Sequence, residues 1–255
     1  MISANVLSIP PAPVTPIERS TGAKGLIVAL SILMLWAMSL TLLLASDVDR
    51  LPLPAILLGI LVQMFLYTGL FITAHDAMHG VVYAKNIKIN NLIGAIALQL
   101  YALFSFEKLL KTHWQHHHHP ASDRDPDFHD GQHKNFFAWY GTFMRNYWSW
   151  WRLVGLVVIY HALHGLLHIP QTNLTLFWVI PSIVSSVQLF YFGTYRPHRE
   201  PAGGYDNPYR ATTTALPAFW SFITCYHFGY HHEHHEFPNV PWWQLPAVHH
   251  SNQAQ

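Results

Sequence analysis

Eight histidines of this chain fall in three short clusters whose side chains could bind transition-metal ions. They are His75, His79, His113, His116, His117, His231, His234 and His235. A neutral imidazole is a good ligand for such metals, and positions i, i+3 and i+4 of a helix share one face. Each cluster can therefore direct two or three nitrogens toward one place. Because eight nitrogens are too many for one tetrahedral or octahedral ion, the pattern predicts two ions.

Two of the three clusters repeat one spacing, His-x-x-His-His, at 113–117 and at 231–235, and the other has His-x-x-x-His at 75–79. A single pair at helical spacing is weak evidence, whereas the three clusters together predict a metal site. His198 and His227 are further candidate ligands. His227 lies four residues before His231 and could share its helix face. His198 is a candidate only because it lies just after the apolar run at residues 174–195.

The other polar residues near these clusters have more than one interpretation. His118, His119 and His232 adjoin candidate ligands but point elsewhere on a helix, so we expect them around the ligands or in solvent. His161, His164 and His168 form a helical stripe that predicts a polar seam in a helix bundle. Five carboxylates could accept the second ring N–H of a ligating histidine and so fix its tautomer: Asp76, Asp123, Asp125, Glu233 and Glu236. A solvated acidic turn is an equal alternative for the group at Asp123.

Membrane helices are the elements that must position these clusters. The chain is 51% hydrophobic and 11% charged, whereas about a quarter of the residues of a soluble domain are charged. Residues 26–45, 53–74 and 174–195 can each cross about 30 Å of hydrocarbon as a helix, and 153–167 is a shorter fourth span. Segments 89–106 and 211–226 are apolar but interrupted by polar residues or proline, and we predict buried or interfacial helices there. The predicted fold class is all-α, an integral membrane four-helix transmembrane bundle with a histidine-rich cap.

One membrane domain at 23–248 is the simplest partition. A proline-rich, disordered tail is predicted at 1–22 and a short C-terminal tail at 249–255. The first apolar run is too long for the core of a cleaved signal peptide, so we expect a retained anchor. Cys225 is the only cysteine, which excludes an internal disulfide and a thiolate-held cluster, and we interpret it as a buried apolar residue. The net charge of +1 without a basic stripe argues against nucleic acid as a partner.

The distribution of basic residues predicts the orientation in the membrane. Four crossings with the N-terminus in the cytoplasm place only the short loops 46–52 and 168–173 outside. All of the 14 Lys and Arg residues except Arg50 then lie inside, as the positive-inside rule expects. The three histidine clusters lie on that same inner side. We therefore expect a multi-pass membrane protein whose two termini and metal site are cytoplasmic.

The donor set favours oxygen chemistry over hydrolysis. A zinc hydrolase normally has three or four protein ligands and a general-base carboxylate for each ion, but here nitrogens outnumber the well-placed carboxylates. Iron held by neutral imidazoles at a membrane surface suits O₂ activation on an apolar substrate that enters from lipid. The alternative class is a membrane metal-transport or metal-storage protein. Transport would place ionisable ligands near the bilayer midplane, whereas these clusters lie beyond the apolar runs.

The strings around the clusters resemble a known family. Segments 71–80, 113–117 with the following Asp-x-Asp-x-Asp at 123–127, 188–194 and 226–236 resemble the bacterial and cyanobacterial β-carotene ketolases of the membrane fatty acid desaturase and hydroxylase superfamily. The resemblance runs from about residue 25 to residue 246. It implies a four-span helical bundle capped by a cytosolic di-iron domain. It also implies that the eight clustered histidines are iron ligands, with His198 and His227 as further candidates.

The implied reaction is ketolation at carbon 4 of the β-ionone rings. β-Carotene would pass through echinenone to canthaxanthin, and hydroxylated carotenoids such as zeaxanthin toward astaxanthin. Each oxidation would use O₂ and two electrons from a ferredoxin-type donor, and the carotenoid substrate would come from the lipid phase among the membrane lipids. A carotenoid hydroxylase and an acyl-lipid desaturase of the same superfamily are the alternative enzymes.

Two details of the site remain open in the sequence. The family often has a small residue where this chain has His118, so four consecutive histidines compete for metal, although spacing favours His116 and His117. No acid or base side chain need act beyond the metal centre. The polyene needs a long apolar groove, and eight aromatic residues are available to line it, with ordinary core or lipid contact as the alternative: Phe65, Tyr67, Phe71, Trp114, Phe190, Tyr191, Trp220 and Phe222.

Overall fold

The computed structural model describes residues 22–253, and the regular structure in this part of the chain is entirely helical, as predicted. The helices are α1 Gly22–Leu44, α2 Leu53–Met78, α3 Ile87–Ala102, α4 Phe106–His118, α5 Phe136–Asn146, α6 Trp150–Leu167, α7 Gln171–His198, α8 Ala218–Cys225, α9 His231–Glu236 and α10 Leu245–Gln253. The disordered tail predicted at 1–22 lies outside the described residues, apart from Gly22, where α1 begins.

Four of the described helices, α1, α2, α6 and α7, are long and apolar enough to cross a membrane, and they coincide with the four predicted spans. The loops α1–α2 and α6–α7 lie at one end of the bundle. Asn173 Nδ2 joins them there by donating to the carbonyl oxygens of Leu43, Leu44 and Ser46 at 3.2, 3.2 and 2.8 Å. The four helices therefore run up and down, and the ends that carry the histidine clusters lie opposite these loops.

Two π-helical turns widen α7, at Thr175–Val179 and Tyr191–Tyr195. Pro181 and Pro197 each lie four residues after the middle residue of one of these turns. Proline has no N–H to donate, and its ring clashes with the carbonyl group four residues earlier, so the turn widens instead of continuing as a regular α-helix. The second π-helical turn ends at Tyr195, three residues before His198, and so it helps to set the direction in which that side chain points.

A sharp bend of 97° separates α3 from α4. Helix α3 confirms the helix predicted at 89–106 but ends at Ala102, because Leu103 adopts the left-handed conformation with φ 56°. Ser105 then caps α4 by accepting a hydrogen bond from Lys108 N. Asn90, one of the polar interruptions, is buried and donates to Ala77 O at 2.7 Å, which ties α3 to the end of α2. The bend thus places α4 across the end of α2.

The helix predicted at 211–226 is wrong over its first part. Residues 211–217 are not helical, and α8 begins only at Ala218. Pro217 has φ −49° and ψ 143° and cannot donate an N–H, so the helix starts after it. Residues 211–217 run as an irregular segment that is hydrogen-bonded to other parts of the chain. Thr214 N, for example, donates to Gly229 O at 2.7 Å. The predicted C-terminal tail is helical through Gln253, since α10 packs on α9 through His249 and Glu233.

Candidate metal centre

Three short elements present the three histidine clusters at the same end of the bundle. His75 lies in the last turn of α2, and His79 caps that helix. The second cluster occupies the last turns of α4, and the third forms most of α9. Because α4 crosses the end of α2 after the 97° bend, histidines that are far apart in the sequence face one another.

The first group contains five histidines from all three clusters. Their candidate ligand nitrogens lie within 4.8 Å of one another, and the residues are His75, His79, His113, His117 and His234. The Nε2 atoms of His79 and His113 are 2.7 Å apart, and those of His117 and His234 are 3.1 Å apart. This group therefore has the donors to surround one ion.

The second group contains four buried histidines, and it includes one from outside the clusters. Its members are His116, His198, His231 and His235. His235 Nε2 lies 3.1 Å from the Nε2 atoms of both His116 and His231, and His231 Nε2 lies 3.0 Å from that of His198. His198 reaches the group from the end of α7, and its Nδ1 donates to Arg210 O at 2.9 Å.

Hydrogen bonding alone does not account for the short distances between these nitrogens. A ring nitrogen carries either a hydrogen or a lone pair, so His235 Nε2 cannot bond well to two facing Nε2 atoms at once. Both ring nitrogens of His75 are buried without a hydrogen-bond partner. Two nitrogens bound at about 2.1 Å to one metal, at an angle near 90°, would be about 3.0 Å apart. The spacing and chemistry of these donors therefore fit two transition-metal ions.

The charge state of the rings suits metal binding. Burial lowers the pKa of His231, His234 and His235 well below the ordinary value, and each neighbouring histidine adds to that effect. The three imidazoles are therefore neutral near pH 7. A neutral imidazole keeps the lone pair that a metal requires.

Asp125 orients one of these rings. His116 Nδ1 donates to the two carboxylate oxygens of Asp125 at 2.9 and 3.0 Å, which leaves Nε2 free to face the second group. The same carboxylate accepts hydrogen bonds from Ala121 N at 2.8 Å and Asp127 N at 2.9 Å. Asp125 thus fixes both the tautomer of His116 and the loop that follows α4.

The other predicted carboxylates do not all face the histidines. Asp76 Oδ1 is 3.7 Å from His75 Nδ1, and the Asp76 carboxylate accepts a hydrogen bond from Trp242 N at 3.3 Å. Asp123 is exposed and makes no side-chain hydrogen bond within residues 22–253. The Glu233 carboxylate accepts hydrogen bonds from Thr213 Oγ1 and His249 Nδ1. Glu236 Oε2 lies 3.6 Å from His232 Nε2.

His227 lies outside both groups, although the sequence made it a candidate ligand. Its ring centroid is 5.9 Å from those of Phe222 and Trp242. Burial lowers the pKa of His227 to about 4. A left-handed φ of 60° at His227 and of 47° at Tyr226 interrupts the helix between it and His231, so their spacing of four does not place them on one face.

The structure adds two features that the sequence did not single out. Asp127 Oδ2 lies 3.9 Å from His116 Nδ1, and the carboxylate accepts the hydroxyl hydrogen of Tyr147. The second feature is His249, which packs α10 against α9 through a hydrogen bond with the Glu233 carboxylate. The alternation Asp-x-Asp-x-Asp is the one sequence signal that could have pointed to Asp127.

An apolar cavity of about 520 Å³ opens beside the two groups. Four of the nine convergent histidines line it, namely His75, His113, His116 and His231. Its wall follows the chain from residue 149 to residue 161 along α6, or about 18 Å of helix at 1.5 Å per residue. Residues of α2 and α7 also line the cavity, so it lies between these helices and α6, of which no residue is buried.

Phe71 lines this cavity, but the other seven aromatic residues proposed for a groove do not. Tyr67 and Phe190 are fully buried in the packed interior. Phe65 stacks on Tyr226 at a centroid distance of 4.3 Å, and Trp220 is 57% exposed. The aromatic residue type does not say which helix face is turned toward a cavity, and this is why the sequence could not select among them.

Comparison with known proteins identifies one matching family and several similar proteins. A sequence profile of the fatty acid desaturase family matches residues 51–154 and 136–255. Beta-carotene 4-ketolase 3 of Haematococcus lacustris is 44% identical over 192 residues, which are 73% of this chain and 59% of that protein. The beta-carotene ketolase of Paracoccus sp. (strain PC1) is 42% identical over 72% of this chain and 75% of that protein. A zeaxanthin 4-ketolase of Chlamydomonas reinhardtii is 42% identical over 71% of this chain and 41% of that protein.

The matched region covers most of this chain but only 59% of the Haematococcus protein. The profile match, at residues 51–154 and 136–255, includes the three histidine clusters and the helices that carry them. The profile match and the identity over this length leave one assignment: the chain belongs to the fatty acid desaturase family.

Proposed function

We propose that this chain is a di-iron, O₂-dependent β-carotene 4-ketolase of the membrane. The observation that carries the proposal is the apolar cavity, which reaches two adjacent groups of convergent imidazoles. An enzyme that oxidises a hydrocarbon ring needs both features at one place. The similarity to two beta-carotene ketolases supports the same activity and favours the carotenoid ring over an acyl chain as the substrate.

The reaction would convert a ring CH₂ group to a ketone in two oxidations. The iron ions, when bound, would supply O₂ activation with two electrons for each oxidation. Each round adds one oxygen atom to the ring and consumes O₂, two electrons and two protons, with release of one water. The second round gives a geminal diol at carbon 4, which loses water to leave the ketone. β-Carotene would thus give echinenone and then canthaxanthin, and zeaxanthin would give astaxanthin.

The residues of this chain would hold the ions and position the ring. The first group would bind one ion, and the second group would bind the other through His116, His198, His231 and His235. Asp125 would keep the His116 Nδ1–H tautomer so that Nε2 faces the ion. The cavity would exclude water from the ring and direct one end of the polyene toward the histidines, while the remainder of the polyene lies along α6.

The distribution of basic residues supports one orientation of the enzyme in the membrane. We place the histidine end of the bundle in the cytoplasm with both termini, since Arg50 is the one Lys or Arg that this arrangement puts in an outer loop. The carotenoid would enter from the lipid phase through the open side of the cavity. A ferredoxin-type protein of the cytoplasm would supply the electrons.

Pigment analysis tests the proposal directly. The chain is expressed in a bacterium that produces β-carotene, and carotenoids are separated and identified by absorption and mass. We expect 4-keto products, and none from the His234→Ala variant at equal membrane insertion. A product with only ring hydroxyl groups would instead indicate a hydroxylase. Unchanged pigment, together with altered fatty acids, would indicate a desaturase.

A further inference from the structure

Asp127 is a carboxylate in the wall of a largely apolar cavity, next to the second group. It lines the cavity with His116 and His231. Its Oδ2 is 3.9 Å from His116 Nδ1, but that nitrogen already donates to Asp125 at 2.9 Å, so Asp127 is not required to orient the ring. Oδ1 accepts the hydroxyl hydrogen of Tyr147. Within the described part of the chain, no donor is hydrogen-bonded to Oδ2.

The backbone at Asp127 is held without help from its side chain. Trp139 Nε1 donates to the carbonyl oxygen of Asp127 at 2.8 Å, and Asn146 Nδ2 donates to that of Pro126 at 2.8 Å. Both donors lie on α5, and Tyr147 follows directly after that helix. The loop is therefore fixed by main-chain contacts, and the carboxylate has an acceptor oxygen that the fold does not use.

Two-step ketolation creates a need for such an acceptor. The first oxidation replaces a ring C–H by C–O–H, with O₂, two electrons and two protons consumed and one water released. The product carries a hydroxyl donor in an apolar cavity, where an unbonded hydroxyl group is unfavourable. It would leave for the membrane interface, although the second oxidation requires the same carbon to stay at the metal centre. A carboxyl oxygen can accept that hydroxyl hydrogen.

We propose that Asp127 accepts a hydrogen bond from the hydroxyl group added in the first oxidation and so retains the ring for the second. Tyr147 is the positioning residue that fixes the carboxylate. The inference rests on the proposed function and explains why the reaction proceeds to the ketone instead of stopping at the alcohol. A hydrogen bond to a charged group corresponds to a factor of about ten to a hundred in binding.

The Asp127→Asn variant tests this role while keeping the shape of the side chain. Its amide oxygen can still accept from Tyr147, but an NH₂ donor replaces the free acceptor. In cells that produce β-carotene, we expect the ratio of 4-hydroxylated to 4-keto product to rise about tenfold or more. Asp123→Asn, an exposed aspartate of the same loop, is the matched control, and its ratio should equal that of the wild type.

A binding measurement separates retention from catalysis. The purified iron-loaded protein is titrated in detergent, without O₂ or reductant, with β-carotene and with a carotenoid that carries one 4-hydroxyl group. We expect Asp127→Asn to weaken binding of the hydroxylated ligand about tenfold to a hundredfold more than that of β-carotene. Tyr147→Phe should shift the product ratio in the same direction by a smaller factor.

Three outcomes would overturn the inference. One is an unchanged product ratio and unchanged binding preference in Asp127→Asn. Another is loss of iron from that variant, because the carboxylate would then serve the metal site and not the ring. The third is an unchanged ratio in both Asp127→Asn and Tyr147→Phe at lower total turnover. Failure of the proposed function looks different, since the wild-type chain itself would then make no ketone.

Discussion

Replacing Asp125 with asparagine should weaken metal binding without changing any ligand. The carboxylate accepts hydrogen bonds from three donors: His116 Nδ1, Ala121 N and Asp127 N. Burial raises the pKa of Asp125, but His116 and the hydrogen bonds more than offset this, and the net pKa lies below the ordinary value. The group is therefore an ionised acceptor near pH 7.

The size of the effect follows from the number of donors. The single amide oxygen of the introduced asparagine accepts at most two of the three hydrogens, and its NH₂ group must then face the third donor. A buried donor left without a partner costs about 1–3 kcal/mol, and about 1.4 kcal/mol corresponds to a factor of ten. Loss of a carboxylate that orients a ligating histidine lowers metal affinity by about 10- to 100-fold in other sites. Both arguments predict a loss in that range, at the second group.

Metal analysis of the purified protein measures this effect. Iron per chain is determined after equilibration with a graded series of chelator concentrations, for the wild type, Asp125→Asn and the control Asp123→Asn. We expect the Asp125→Asn curve to shift by at least tenfold for one of two ions, while the Asp123→Asn curve overlays the wild type. Equal iron retention by all three proteins would refute the reasoning, because the carboxylate would then not determine the tautomer of a ligand.

Four further results are expected. His198→Ala should lose one of two ions while His227→Ala retains both, by metal analysis, and iron loss from the latter would contradict its placement outside the groups. His118→Ala should keep full iron content and ketone formation, because this residue is exposed on the outer side of α4; loss of both ions would show that it is a ligand. Val157→Trp should abolish turnover with normal iron content, since Val157 lines the cavity; unchanged turnover would mean that the substrate binds elsewhere. The pKa of His227 is lowered to about 4 in the folded chain, so the stability of the fold should decrease as the pH falls from about 6.5 to about 4. Thermal unfolding measures this decrease, which should be smaller in a His227→Phe variant.

The spans and the clustering of histidines could be predicted because each depends on a local pattern. Twenty or more apolar residues specify a membrane helix whatever surrounds them, and His-x-x-His-His places its nitrogens on one face within a turn or two. The residue pattern favoured His227 over His198, whereas the structure places only His198 among the convergent histidines. The order could not be predicted, because the positions of both side chains depend on backbone geometry that the pattern does not encode. A π-helical turn before Pro197 turns His198 toward the site, and left-handed residues at 226–227 turn His227 away. The cavity depends on how far α6 stands from its neighbours, a tertiary property that no single segment records.

Bound ions would stabilise the two histidine groups together with the helices that carry them. The bundle of long apolar helices has its own packed interior, centred on α2, where Tyr67, Leu70 and Ile72 are fully buried. At the histidine end of the bundle, nine imidazoles lie at short distances from one another and six of them are buried. Several have nitrogens without a hydrogen-bond partner in the described part of the chain. Buried polar atoms without partners oppose folding, and an ion that binds them only in the folded state offsets this opposition. If two ions bind there, the positions of α4 and α9 should therefore depend on the metal more than those of the long apolar helices do.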